Sequence, residues 1–183
     1  MSSSLFKKSD YNSSDGMLTT IWGPGMWHFL HTMSFNYPIK PTAEQKNHYE
    51  DYIFSLKNVL PCKYCRDNYT NNLQMAGFST KIFKSRYTFS KFIYRLHESV
   101  NKMLGKKSGL SYKMVRDRYE HFRSRCLNDT KIAAVQKARL EKGCTEPLYG
   151  KKSKCVLKIV PKNTKIDTFE VDPQCKIKRL CKN

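Results

Sequence analysis

The chain has 183 residues, 39% of them hydrophobic and 13% aromatic, enough for one globular domain with its own core and a tail besides. No run approaches the roughly 18 consecutive apolar residues that a membrane-spanning helix needs, and the opening "MSSSLFKKSDYNSSDG" has no apolar stretch of the kind a secretory leader carries. A net charge of +19 points to acidic partners, but the charge is spread along the chain with no stacking motif or zinc-finger spacing, so specific nucleic-acid recognition is not expected.

Residues 1–20 read as a disordered polar arm. Gly23, Pro24 and Gly25 then make a tight entry to a first helix, in which Trp27, Leu30, His31 and Ser34 share a face until Pro38 stops it. A second helix is expected from Thr42, a plausible N-cap, to Leu60, with Tyr49, Tyr52, Ile53, Leu56 and Leu60 at i, i+3, i+4 spacing. Pro61 ends it and opens a third helix over 62–75, closed by Gly77. A fourth spans roughly Thr88 to Leu104, turning Phe89, Phe92, Ile93, Leu96, Val100 and Met103 inward. A fifth segment, "LSYKMVRDRYEHFRSRC", places Met114, Val115, Tyr119 and Phe122 at helical spacing. No alternating strand pattern occurs before residue 127. The fold class is therefore all-α: a bundle of four to five helices over 21–126. Residues 127–183 form a basic, cysteine-containing C-terminal extension, in which "KCVLKIV" and "KIDTF" are candidates for short strands.

The seven cysteines stand at 62, 65, 126, 144, 155, 175 and 181. Only Cys62 and Cys65, in "LPCKYC", make a CxxC. Such a pair serves as half a zinc site, as a structural disulfide or as a redox pair. A helix start favours the last, because unpaired backbone N–H groups and the helix dipole stabilise a thiolate. Lys63 and Arg66 add positive charge. Zinc would need two further ligands, and no second CxxC or close Cys/His pair supplies them. An inert structural disulfide stays open on these residues alone. Trp27 with His31, and His97 with Asn101, are i, i+4 pairs that each present aromatic or polar groups on one face; taken singly, Trp27 reads as core and His97 with Asn101 as caps on polar edges.

Four blocks together, "WGPGMWHFLHTMSFNYP", "LPCKYCRDNY", "LHESVNKMLGK" and "RDRYEHFRSRC", resemble in order and spacing the FAD-linked sulfhydryl oxidases of the Erv/ALR family. The last block is most similar to members from large double-stranded DNA viruses. The resemblance implies a helical bundle holding FAD and commonly paired as a homodimer. It implies Cys65 as the thiolate against the flavin and Cys62 as the outer sulfur that an incoming thiolate attacks. Gly23, Trp27 and His31 match first-helix positions that contact FAD. Tyr94, His97, Val100, Asn101, Leu104 and Lys106 match positions around its adenine, ribose and phosphates, and Arg118 with Tyr119 matches an Arg–aromatic pair near the cofactor.

The implied reaction passes electrons from protein dithiols through the CxxC to FAD and then to O2, giving H2O2. The implied setting, for a viral member, is host cytoplasm and the virion, without membrane insertion. The chain also departs from the family's pattern. Glu98 follows His97 where many relatives have Asn, and Tyr94 and Ser111 stand where non-viral relatives have a disulfide. Cys175 and Cys181 correspond in position to C-terminal shuttle pairs of some relatives, and Cys144 with Cys155 is a second candidate; a bridge or free thiols in a tail is the plainer reading. The role of Cys126 is open. Two rivals to the oxidase are a basic binding or scaffold module that keeps the bundle, and a flavin-free CxxC oxidoreductase. The absence of a βαβ pattern around the CxxC argues against a thioredoxin fold for the latter.

Overall fold

The computed structural model describes residues 5–14, 16–126, 143–161, 163–164 and 171–176. The chain divides into two compact units, one ending at Gly109 and one beginning at Leu110.

The first unit is built from helices α1 (Lys8–Tyr11), α2 (Thr19–Asn36), α3 (Ala43–Val59), α4 (Lys63–Met75) and α5 (Arg86–Met103), with a 3-10 turn over Thr80–Lys84. Each long helix after α2 starts on a side-chain cap. The Thr42 hydroxyl accepts from the Gln45 amide at 3.1 Å while Gln45 Oε1 accepts from the Thr42 amide at 3.0 Å, and Ser85 with Thr88 repeats the reciprocal arrangement at α5. Gly77 follows α4 at φ +76°, the left-handed conformation that lets the chain turn off the helix end. α5 packs along α2 and α4, α4 lies on α3, and the 3-10 turn lies on α5 and α3.

The expected inward faces of α3 and α5 meet in one core, except that Val100 and Met103, at the end of α5, are only half-buried and lie outside it. Ile53, Leu56, Tyr69, Leu73, Phe89, Phe92, Ile93 and Leu96 join Leu30, Tyr37 and Phe83 in it. Two buried hydroxyls are satisfied by backbone: Tyr37 donates to Phe83 O at 2.8 Å and Tyr69 to Ile53 O at 3.0 Å. Burial pushes the Tyr37 phenol up to about 12 and raises Tyr69 as well. Both therefore stay neutral donors.

The start of the bundle differs from the sequence reading. Gly23, Pro24 and Gly25 lie inside α2 rather than before it. The helix begins at Thr19 because its first turns are anchored. Trp22 packs on the core, and its indole N–H donates to Met17 O at 3.0 Å. That gain outweighs the single hydrogen bond that Pro24 forfeits close to the helix start. Residues 16–20, read as the end of a disordered arm, thus hold an antiparallel bridge between Gly16 and Cys62 and the first residues of α2.

In the second unit α6 (Tyr112–Glu120) is capped by Ser111, whose hydroxyl accepts from the Met114 amide at 3.3 Å. It is shorter than the expected helical segment. Beyond Glu120 the backbone leaves helical pairing for long-range pairing. β1 (Ser124–Arg125) runs antiparallel to β2 (Glu146–Pro147), and the Leu148 amide donates to Arg123 O at 2.8 Å. "KCVLKIV", proposed from sequence as a strand, carries none here, and "KIDTF" lies outside the described residues. The molecule is mostly helical, with these strands a minor feature. Among the described residues no helix is long and apolar enough to cross a membrane.

Candidate active site

Pro61 interrupts the run of α3 into α4, and Cys62 takes the N-cap position of α4 in an extended conformation, φ −156° and ψ 120°. Its sulfur accepts from the Cys65 amide at 3.1 Å, and its carbonyl accepts from the Arg66 amide at 3.1 Å. The two cysteines form a disulfide with Cα atoms 5.2 Å apart. A sulfur that caps a helix already receives an N–H, and that same donor and the dipole behind it would steady the thiolate released when the bond is broken.

The neighbouring charges are not both available to it. Lys63 forms an exposed ion pair with Asp67 at 2.6 Å, which offsets part of its field. The Arg66 guanidinium reaches back to donate to Leu60 O and pins the approach to the cap. The backbone is therefore the chief electropositive element at this pair.

Access to the sulfurs runs against the expectation that Cys62 is the outward one. Cys62 is 9% exposed, whereas Cys65 is half-buried and packs against the core cluster.

The second part of the site lies where α2 meets α5. Trp27 and His97 are stacked nearly parallel, centroids 4.0 Å apart at 5°. His31 Nε2 and His97 Nδ1 lie 3.1 Å apart in a hydrogen bond, one ring donating and the other accepting. Burial, followed by repulsion from His97 and His28, pulls His31 down to about 3. Burial also lowers His97 to about 4, with the Lys106 ammonium acting in the same direction and Glu98 in the opposite one. Both imidazoles are neutral at physiological pH, so the pair has both donors and acceptors. Glu98 is half-buried and accepts from Asn101 Nδ2 at 3.0 Å. The carboxylate that departs from the family's pattern is thus held on its own helix.

Of the other predicted positions, Tyr94 and Val100 are half-buried on α5, Leu104 caps that helix, and the Lys106 amide donates to Asn101 O at 2.8 Å. Beyond its own helix turn and chain neighbours, a Cβ built on Gly23 would meet no atom of the described residues within 4 Å. Arg118 and Tyr119 lie on α6 in the second unit. Burial lifts the Tyr119 phenol to about 12, Arg118 lowers it and Cys155 raises it.

Cys144, paired with Cys155 in one sequence reading, is instead disulfide-bonded to Cys126. Cys155 and Cys175 are in no disulfide among the described residues, and Cys181 lies outside them. Asn72 was not singled out from sequence. It is buried on α4, accepts from Ser99 at 2.9 Å and donates to Asn68 O at 3.0 Å, tying the cysteine helix to the histidine helix. Its position next to Leu73 on an inward face was the available signal.

Residues 24–120 match the model of the Erv1 / Alr family, more than half of the chain. The chain belongs to the Erv1/Alr family. Within it, the chain is 37% identical over 86 residues to a probable FAD-linked sulfhydryl oxidase of Acanthamoeba polyphaga mimivirus, covering 47% of this chain and 60% of that one. It is 34% identical over 110 residues to the FAD-linked sulfhydryl oxidase ERV1 of Arabidopsis thaliana, covering 57% and 54%. A putative FAD-linked sulfhydryl oxidase of Invertebrate iridescent virus 6 matches at 34% over 90 residues, covering 47% and 81%. The chain thus spans between half and two thirds of the first two relatives. The yeast Erv1 core superposes with a TM-score of 0.51 at 21% identity, over 64% of this chain and 92% of that one, which establishes the shared helical fold.

Proposed function

We propose that this Erv1/Alr protein is a FAD-dependent thiol oxidase that forms disulfide bonds in protein substrates. The observation that carries the reading is a Cys62–Cys65 disulfide on a helix N-terminus, packed on the same core as Trp27. In the first step a substrate thiolate attacks Cys62 Sγ, the bond to Cys65 breaks, and Cys65 leaves as a thiolate. The substrate's second thiolate then attacks its own sulfur in the mixed disulfide and releases Cys62. Two electrons and two protons have left the substrate, and the chain holds the dithiol. The α4 N-terminus steadies the thiolate formed, and Arg66 keeps the cap in register.

The residues fit a flat, anionic cofactor. Trp27 and His97 offer a parallel aromatic surface. The neutral imidazoles, Asn101 and Lys106 offer donors, the last with a positive charge. Gly23 supports the same reading: a helix-interior glycine costs about 1 kcal/mol against alanine, no described residue beyond its own helix turn and chain neighbours fills the space, and close approach of a ligand would account for it. Gly23, Trp27, His31, Tyr94, His97, Val100, Asn101, Leu104 and Lys106 would hold FAD. Bound there, FAD would supply the two-electron acceptor that restores the disulfide and hands the electrons to O2 as H2O2.

The same proposal includes action as a homodimer on protein dithiols, and, given the viral relatives, work in host cytoplasm or in the virion. In a reducing compartment such an enzyme is the means by which disulfides persist. Cys175 with Cys181 stays a candidate relay between substrate and Cys62. The test is purification of the full chain. Flavin absorbance that survives gel filtration, together with oxygen-dependent oxidation of dithiothreitol, is the expected result. A colourless protein that neither takes up added FAD nor consumes thiol leaves the binding-module reading in its place.

A further inference from the structure

The backbone that carries the sulfur a substrate must reach is paired with the chain's own N-terminal segment. The Met17 amide donates to Pro61 O at 2.7 Å, and Gly16 makes an antiparallel bridge with Cys62. The contact is close enough to dictate a residue type. Gly16 has φ +93°, and a Cβ there would lie 2.6 Å from Pro61 O and 3.0 Å from Cys62 Cα. Only glycine suits both the backbone conformation and the approach. The segment is held at its other end too, since Trp22 Nε1 donates to Met17 O at 3.0 Å and Trp22 is seated on the core.

We infer that Gly16 and Met17 form a strap that determines which thiols reach Cys62: a polypeptide thiol must first displace the strap from the Pro61–Cys62 backbone, while a small thiol need not. The inference rests on the reading of Cys62 as the sulfur that substrate attacks. A polypeptide brings its own backbone within a few ångströms of the sulfur it attacks, and that ground is occupied on the side of Pro61 and Cys62 Cα. Cys62 is 9% exposed at this contact. The strap is a light one. It has few backbone bonds to the cysteine segment, and the Met17 side chain is 70% exposed. It can therefore lift locally without unfolding the bundle. A partner able to pair with the vacated Pro61 carbonyl would recover the bond the strap gives up.

The test uses the full chain and Met17→Pro, which removes the amide that bonds Pro61 O, with Gly16→Val as a second variant should proline disturb the start of α2. Met17→Ala keeps the backbone bond and serves as control. The chain is reduced, labelled anaerobically with a polyethylene-glycol maleimide, and modification at Cys62 is followed by mass spectrometry. Loss of one backbone hydrogen bond should speed labelling about fivefold, with Met17→Ala unchanged. The kcat/KM toward reduced, unfolded ribonuclease should rise by a similar factor, with dithiothreitol altered much less. Equal labelling of Cys62 in wild type, Met17→Pro and Gly16→Val overturns the strap, whatever the turnover. An equal rise for dithiothreitol and ribonuclease overturns the selectivity. If no form oxidises any thiol, the oxidase reading has failed, and labelling still decides the strap.

Discussion

Replacing His31 with glutamine tests the electrostatic design of the histidine pair. Glutamine keeps a polar group near His97 Nδ1 but cannot titrate. In the native chain His31 is held at about 3, chiefly by burial, against about 6.5 when unfolded. A folded value below the unfolded one means that the unfolded chain binds more protons throughout that interval. The stabilisation is therefore complete above about pH 6.5 and is lost as pH falls toward 3. Integrated from pH 7 to pH 5, His31 alone accounts for about 2 kcal/mol of lost stability. The result is insensitive to the folded value, because any value near 4 or below gives nearly the same integral. His97, lowered to about 4, adds in the same direction. Urea denaturation of wild type and His31→Gln at several pH values between 7 and 5 measures this. Whatever the substitution costs at pH 7, the variant should lose about 2 kcal/mol less than wild type on acidification. Parallel curves would refute the claim that the pair is buried and neutral.

Three further outcomes follow from single contacts. Gly23→Ala should stabilise the cofactor-free chain by about 1 kcal/mol through helix propensity while weakening flavin retention, read as opposite shifts in melting temperature without and with added FAD. Phe92→Ala removes a fully buried ring from the centre of the core and should cost about 3–5 kcal/mol in denaturant unfolding. Cys144→Ser opens the bond to Cys126, which lies 18 residues away in sequence. It should cost about 3 kcal/mol in the second unit, seen as earlier proteolysis beyond Leu110.

Much of this was legible before the structure because the signals were local. Thr42 as an N-cap, the i, i+3, i+4 faces of α3 and α5, and Pro61 between two helices each declare an element within a few residues. The CxxC declared its place as a helix cap for the same reason. What was not legible depends on distant partners. Pro24 inside α2 is tolerated because Trp22 is seated on the core. α6 stops at Glu120 because the residues after it pair with Glu146 and Pro147. The strap rests on Gly16 meeting Pro61, which no periodicity announces. The pairing of Cys126 with Cys144 was open in the same way, since spacing alone does not choose among cysteines in a tail. The histidine pair was half legible. His31 and His97 were both singled out, but their mutual hydrogen bond and the neutrality it accompanies come from α2 packing on α5.

The central claim is that electrons leave substrate thiols through the Cys62–Cys65 pair. The most direct measurement is oxygen consumption by the full chain and its Cys65→Ser variant, with dithiothreitol as substrate and bound flavin quantified in each sample. Steady consumption by the wild type and none above background by the variant is the expected result, with flavin content equal in the two. A variant that carries flavin and still consumes oxygen with thiol at the wild-type rate would contradict it.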